Sequence, residues 1–218
     1  MPSRRFLPPI ALTILLALVP LAPLPSLDTT SLATDWHWIR EAPEEWQLNP
    51  DGQLQLRTQP GQIWAGKDDA KNILAHKTPL DTKAPATLEA TVTLDDPVRK
   101  WEQAGLLVYI DDTSFIKFVV EFIDDDLFVV LAREHKGKRQ VLAKTQIPKA
   151  TARLRLEVTG DQILGTYRTD PKAIDWTEAA QSELPADLKR HFALFTQNGP
   201  AESFRTATFT DLELAPSE

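Results

Sequence analysis

The run from Gln103 to Glu134, QAGLLVYIDDTSFIKFVVEFIDDDLFVVLARE, decides the fold. Apolar, β-branched and aromatic residues fill 104–110, 115–123 and 127–132, while Asp111-Asp112 and Asp124-Asp125-Asp126 punctuate them. This is the pattern of three strands joined by two acidic turns. The period of two puts Ile116, Phe118, Val120 and Phe122 on one face of the middle strand, and Phe115, Lys117, Val119 and Glu121 on the other. In the first strand Ala104, Leu106, Val108 and Ile110 fall on one side and Gln103, Leu107 and Tyr109 on the other. With Asp124-Asp125-Asp126 as the turn, the third strand sets Leu131 and Arg133 beside the polar set. One face is plain core. The second mixes Gln103, Tyr109, Lys117, Glu121 and Arg133 with more Val, Leu and Phe than a solvated face keeps, so it is expected to line a groove.

The same alternation continues on both sides of this run. Trp36 to Ile39, Gln53 to Thr58, Ile73 to Lys77 and Thr87 to Leu94 are expected strands before it. Val141 to Ile147, Arg153 to Thr159, Ile163 to Thr169, Phe192 to Gln197 and Phe204 to Leu214 are expected strands after it. Turns such as Pro50-Asp51-Gly52 and Gly160-Asp161 separate them. Residues 170–188 are expected as a loop, with one helical turn over Trp176 to Gln181. There is no long helical period and no internal repeat. Many short strands with turns between them predict an all-β, two-sheet antiparallel sandwich.

The first 33 residues stand apart. Arg4 and Arg5 precede an apolar run from Ile10 to Leu24 that Pro20 and Pro23 interrupt, and Ser31-Leu32-Ala33 offers a small-residue cleavage site. The run is shorter than the ~20 residues of a spanning helix, so residues 1–33 are expected to be a secretory signal peptide and 34–218 one domain. The protein is accordingly expected to be secreted, or in the periplasm or cell envelope, without membrane insertion of the mature domain. With no Cys among 218 residues, disulfides, a lipidated N-terminus and thiolate metal sites are excluded. Asp and Glu outnumber Lys and Arg by 31 to 24, giving a net charge of −7 that disfavours nucleic acid as a partner.

The order of elements resembles the concanavalin A-like lectin/glucanase superfamily. Within it the chain is similar to the family of unknown function named after a fungal regulator of enolase. The likeness rests on Trp36-His37-Trp38-Ile39-Arg40-Glu41, Gln62-Ile63-Trp64, Gln103-Ala104-Gly105-Leu106-Leu107, Phe115 to Glu121 and the closing Phe209-Thr210-Asp211-Leu212. It implies a jelly roll of two large antiparallel sheets, and in some members carbohydrate binding.

Candidate chemistry is sparse. A retaining glucanase of this fold class places two carboxylates on one strand face. Here Glu121-Phe122-Ile123-Asp124 sends Glu121 and Asp124 to opposite faces, which argues against catalysis. Nucleophile elbows, phosphate loops and His-Glu-x-x-His are absent from the sequence. No cofactor is expected. Asp-rich turns and Asp211 supply oxygen ligands of the kind structural calcium takes, without the ordered spacing of an EF-hand. The expected function is therefore a non-catalytic carbohydrate-binding module. Gln103, Tyr109, Lys117, Glu121 and Arg133 would supply hydrogen bonds to a glycan or polysaccharide, and Trp64 and Trp101 flat stacking surfaces. An envelope protein-interaction module, or a hydrolase with unconventional carboxylates, are the alternatives.

Overall fold

The computed structural model describes residues 27–81 and 83–216; most of the expected signal peptide lies outside them. A short helix α1 (Thr29–Asp35) leads into β1 (Trp36–Ile39), a 3-10 turn, β2 (Trp46–Leu48), β3 (Leu54–Arg57), β4 (Ile73–His76) and β5 (Ala86–Leu94). Then come β6 (Gln103–Asp111), β7 (Ser114–Ile123), β8 (Asp126–His135), β9 (Lys138–Ile147) and β10 (Thr151–Thr159). The last elements are β11 (Gln162–Arg168), β12 (Thr177–Glu183), β13 (His191–Gln197) and β14 (Thr206–Pro216).

These form two seven-stranded antiparallel sheets, in the orders β1-β4-β13-β6-β7-β8-β9 and β12-β11-β10-β5-β14-β3-β2. The fold is an all-β jelly-roll sandwich of two antiparallel sheets, as expected. Between the sheets lie Leu106, Ile116, Phe118 and Val120 from one, and Leu88, Val92, Leu154, Leu156 and Phe209 from the other. Fully burying each such side chain stabilises the fold by about 1.5–3 kcal/mol, which serves in place of disulfides.

A second apolar cluster lies on the opposite face of the first sheet: Leu107, Phe115, Val119, Val130, Ala132, Ala193 and Phe195. Its lid is the segment 60–72, which buries Ile63 and Ala70 completely or nearly so. That segment is closed on itself, since Asp69 and Ala70 amides donate to the Gln62 carbonyl. Gly61, at φ 112°, is needed at the crossing because a Cβ there would press on the Asp69 backbone. Part of the outer face of the first sheet is thus covered by chain, and the remainder stays open.

Three expectations are corrected. The third strand starts one residue early, at Asp126, because the turn is Asp124-Asp125 alone, both residues having positive φ. This is the backbone of a two-residue hairpin turn. Ile123 therefore faces Asp126, Lys117 faces Ala132, and Arg133 faces Ile116. A one-residue change in register moves every side chain of a strand to the other face. Leu131 and Arg133 consequently point between the sheets, where Arg133 donates to the Glu183 carbonyl of the opposite sheet. The expected helical turn over 176–181 is instead edge strand β12, paired with β11 across a bulge at Gly165/Thr166. Ala, Glu and Gln there have helical propensity, but hydrogen bonds to an open sheet edge override it. Finally, Trp46–Leu48, which is not among the expected strands, is a short strand on β3.

Candidate functional site

The open part of that outer face is a groove of about 830 Å³, floored by β6, β7 and β8 and walled by the 62–65 turn, the 99–101 loop, β9 and the end of β13. Register assembles its floor. Gln197, Gln103 and Glu121 are successive cross-strand partners on β13, β6 and β7, so three polar side chains form one row across the sheet. Gln103 Nε2 donates to Glu121 Oε1 at 2.6 Å, and Lys117 Nζ donates to Gln103 Oε1 at 2.9 Å. These groups are deep: Gln103 is 2% exposed, Lys117 4% and Glu121 6%.

Burial decides their ionisation. Loss of water pushes the Lys117 ammonium down to about 8, with the charges of Glu121 and Glu134 working against that shift. The Glu121 carboxyl is raised by the same loss of water, opposed by Lys117 and Lys144. Desolvation outweighs mutual attraction at both groups. Lys117 forms no ion pair among the described residues; its charge rests against the Trp64 ring, 4.4 Å from the centroid.

Trp64 is held from below. Glu134, on the groove side of β8 and 1% exposed, accepts from the amides of Ala65 at 2.8 Å and Gly66 at 3.2 Å. The indole also packs on Phe115, with centroids 6.2 Å apart. Across the groove the 97–101 loop is fastened by buried Glu102, which accepts from the Val98 and Arg99 amides and from the Thr58 hydroxyl. Asn198 donates to the Trp101 carbonyl and Arg99 to that of Gly199. Trp101 is presented at the rim 54% exposed.

Of the seven residues singled out from the sequence, Trp64, Trp101, Gln103, Lys117 and Glu121 line one groove. Tyr109 and Arg133 do not. Tyr109 is on the correct face but under the lid, where its hydroxyl donates to Asp112, which also takes a bidentate pair from Arg40. Burial, together with Asp112, raises the phenol well above its usual range. Arg133 lies on the other side of the sheet, for the register reason given above. The sequence reading missed Gln197, Arg99, Lys100 and Lys144. The alternation Ala193, Phe195, Gln197 would have placed Gln197; the others come from loop and edge-strand positions that carry no periodic signal.

Glu121 is the one carboxylate lining the groove among the described residues, so no facing acid pair is present there. No set of three or more His, Asp or Glu among the described residues is arranged to hold a metal ion. Asp112 and Asp124 are engaged by Arg40 and Lys100, and Asp211 by the Thr91 hydroxyl. No described helix is long and apolar enough to cross a membrane.

Among solved structures the GH43 BlXynB protein from Bacillus licheniformis superposes with a TM-score of 0.70 at 17% identity, over 84% of this chain and 37% of that one. The chain thus spans little more than a third of the length of that protein. A functionally unknown protein from Saccharomyces cerevisiae matches over 86% of this chain and 98% of its own, with a TM-score of 0.63 at 17% identity. The carbohydrate-binding module CBM66 from Bacillus subtilis matches over 84% and 96%, with a TM-score of 0.54 at 17% identity. At these identities the likeness is one of fold. No curated protein matches the chain in sequence. A family profile, however, covers residues 38–217, nearly all of the sandwich, and the chain belongs to that family, DUF1349, the proteins of unknown function that bear its name.

Proposed function

We propose that this protein is an exported, non-catalytic carbohydrate-binding module whose ligand lies in the groove on the outer face of the first sheet. The observation that carries this reading is the juxtaposition of an exposed indole, Trp101, with the buried hydrogen-bonding row of Gln103, Lys117 and Glu121. A sugar needs both: an apolar C–H face to stack and hydroxyls to pair. Its fold is shared with a module that binds carbohydrate. Gln103, Lys117 and Glu121 would pair with hydroxyls, and Trp64 and Trp101 would flank the ring. The lone groove carboxylate supports binding without hydrolysis, since glycosidases act with two. Membership of the concanavalin A-like superfamily, the kinship with the enolase-regulator family and removal of an N-terminal signal belong to the same reading.

The test is a glycan array and insoluble-polysaccharide pull-down with the purified protein, with and without calcium. Retention that Trp101→Ala abolishes supports the reading. Retention unaffected by Trp101→Ala and by Lys117→Met contradicts the groove assignment, and a clean failure on every glycan in both conditions contradicts carbohydrate binding.

A further inference from the structure

The chain carries a net charge of −7, yet the groove lining has the opposite sign. Arg99, Lys100, Lys117 and Lys144 line it against a single carboxylate, Glu121. Of these four cations, Lys100 alone has its charge met by an ion pair among the described residues, with Asp124 at 2.6 Å. Arg99 donates to a backbone carbonyl and Lys144 lies over the Phe128 ring, so neither is neutralised by a carboxylate contact among the described residues. Glu134, the other acid near Lys117, is occupied beneath the lid by two backbone amides.

Two buried donors on the floor are under-used. Lys117 donates one hydrogen bond, to Gln103, and turns its remaining charge to the Trp64 face. Gln197, 1% exposed, accepts from the Ile63 amide through Oε1, while its Nε2 has no hydrogen-bond partner among the described residues. A buried amide donor and a buried ammonium without full partners are costly unless something supplies acceptors. A neutral sugar hydroxyl accepts weakly. An anionic oxygen answers both donors and the groove's charge together.

Resting on the carbohydrate-binding reading, we propose that the groove selects an acidic saccharide, a sugar unit bearing a carboxylate or a sulfate ester. The anionic group lies over Lys117 and Gln197, with Arg99 and Lys144 around it, and the sugar ring lies towards Trp101. Because the protein as a whole is acidic, indiscriminate attraction to polyanions is disfavoured, and retention on one is diagnostic of a local site.

The test is affinity electrophoresis of the purified protein in gels containing polygalacturonate, its fully methyl-esterified form, dextran sulfate or dextran, at low and moderate salt. The expected result is retardation by polygalacturonate or dextran sulfate but not by their neutral counterparts, weakening with salt. Whichever anion retards the protein identifies carboxylate or sulfate as the group. Lys117→Met is expected to weaken binding at least tenfold. Glu121→Gln, which removes the one negative charge of the groove, is expected to tighten it several-fold. Equal or stronger retardation by the neutral polymers overturns the inference while leaving carbohydrate binding intact. Retardation by polyanions that Lys117→Met and Glu121→Gln leave unchanged also overturns it. Failure with all four polymers, alongside failure on the wider glycan panel, removes both readings.

Discussion

Replacing Lys117 by Met should make the protein more stable and less able to bind. Lys117 is 4% exposed, and burial takes its ammonium from 10.5 to about 8. Since each pH unit of displacement corresponds to ~1.4 kcal/mol, keeping the charge at pH 7 costs the fold about 3 kcal/mol. Methionine is close in volume and removes that cost. It also leaves Gln103 Oε1 without its donor and Trp64 without its cation, together about 2 kcal/mol. The net expectation is a gain of about 1 kcal/mol at pH 7, a rise of roughly 2–4 °C in Tm for a domain of this size. The sign with pH follows from linkage. The folded value lies below the unfolded one, so between about pH 8 and pH 10.5 the folded chain holds fewer protons and this group's contribution to stability rises with pH. Urea denaturation of both proteins at about pH 7 and about pH 9.5 should therefore show the unsubstituted protein gaining about 2 kcal/mol relative to the Lys117→Met variant. A difference between the two proteins that does not change with pH, or a variant weaker by more than about 2 kcal/mol at pH 7, would refute the reasoning.

Other outcomes follow from the same geometry. Gly105→Ala sets a Cβ against the Phe118 carbonyl and 2.7 Å from Val119 Cα, both backbone atoms, and should cost more than about 2 kcal/mol in chemical denaturation; a loss below about 0.5 kcal/mol would mean the strands separate freely there. Arg133→Ala and Tyr109→Phe should leave glycan retention unchanged, because one side chain faces the opposite sheet and the other lies under the lid; weakened retention with both proteins still folded would return them to the site. A chain beginning at Thr34 should be less stable than one beginning at Leu27 by about 2 kcal/mol, since it lacks the buried Leu27 side chain. It also loses the Ala33 carbonyl, one of the two in α1 that the Lys77 ammonium binds. Equal thermal midpoints would show that residues 27–33 contribute nothing to the domain.

The parts of the fold that could be read in sequence were those with a strong period of two. In β6 and β7 both faces came out correctly, and with them Gln103, Lys117 and Glu121, because buried sheets enforce alternation on each side. The third strand failed on a single residue. Three consecutive Asp residues all favour a turn, and composition does not say that two of them make it and the third pairs with Ile123. That ambiguity carried Arg133 into the site and hid Glu134, which fastens the turn bearing Trp64. β12 was hidden for a different reason: it is an edge strand with one buried residue, Ser182, so it has little apolar pattern to show. The lid over 60–72 and the loop that presents Trp101 depend on long-range contacts, such as the Asn198 amide to the Gly61 carbonyl and the Arg99 side chain to the Gly199 carbonyl. No local window contains both ends of such contacts.

The most direct measurement of the central claim is a nitrogen-15 NMR titration that follows the indole N–H signals of the six tryptophans. The probe is a mixture of xylo-, gluco- and galacturono-oligosaccharides. Trp64 and Trp101 line the groove, whereas Trp36, Trp38, Trp46 and Trp176 lie outside it and act as internal controls. Saturable shifts are expected at Trp64 and Trp101, with the other four unmoved. Shifts confined to Trp36, Trp38, Trp46 or Trp176, or no shift at any of the six, would contradict the central claim.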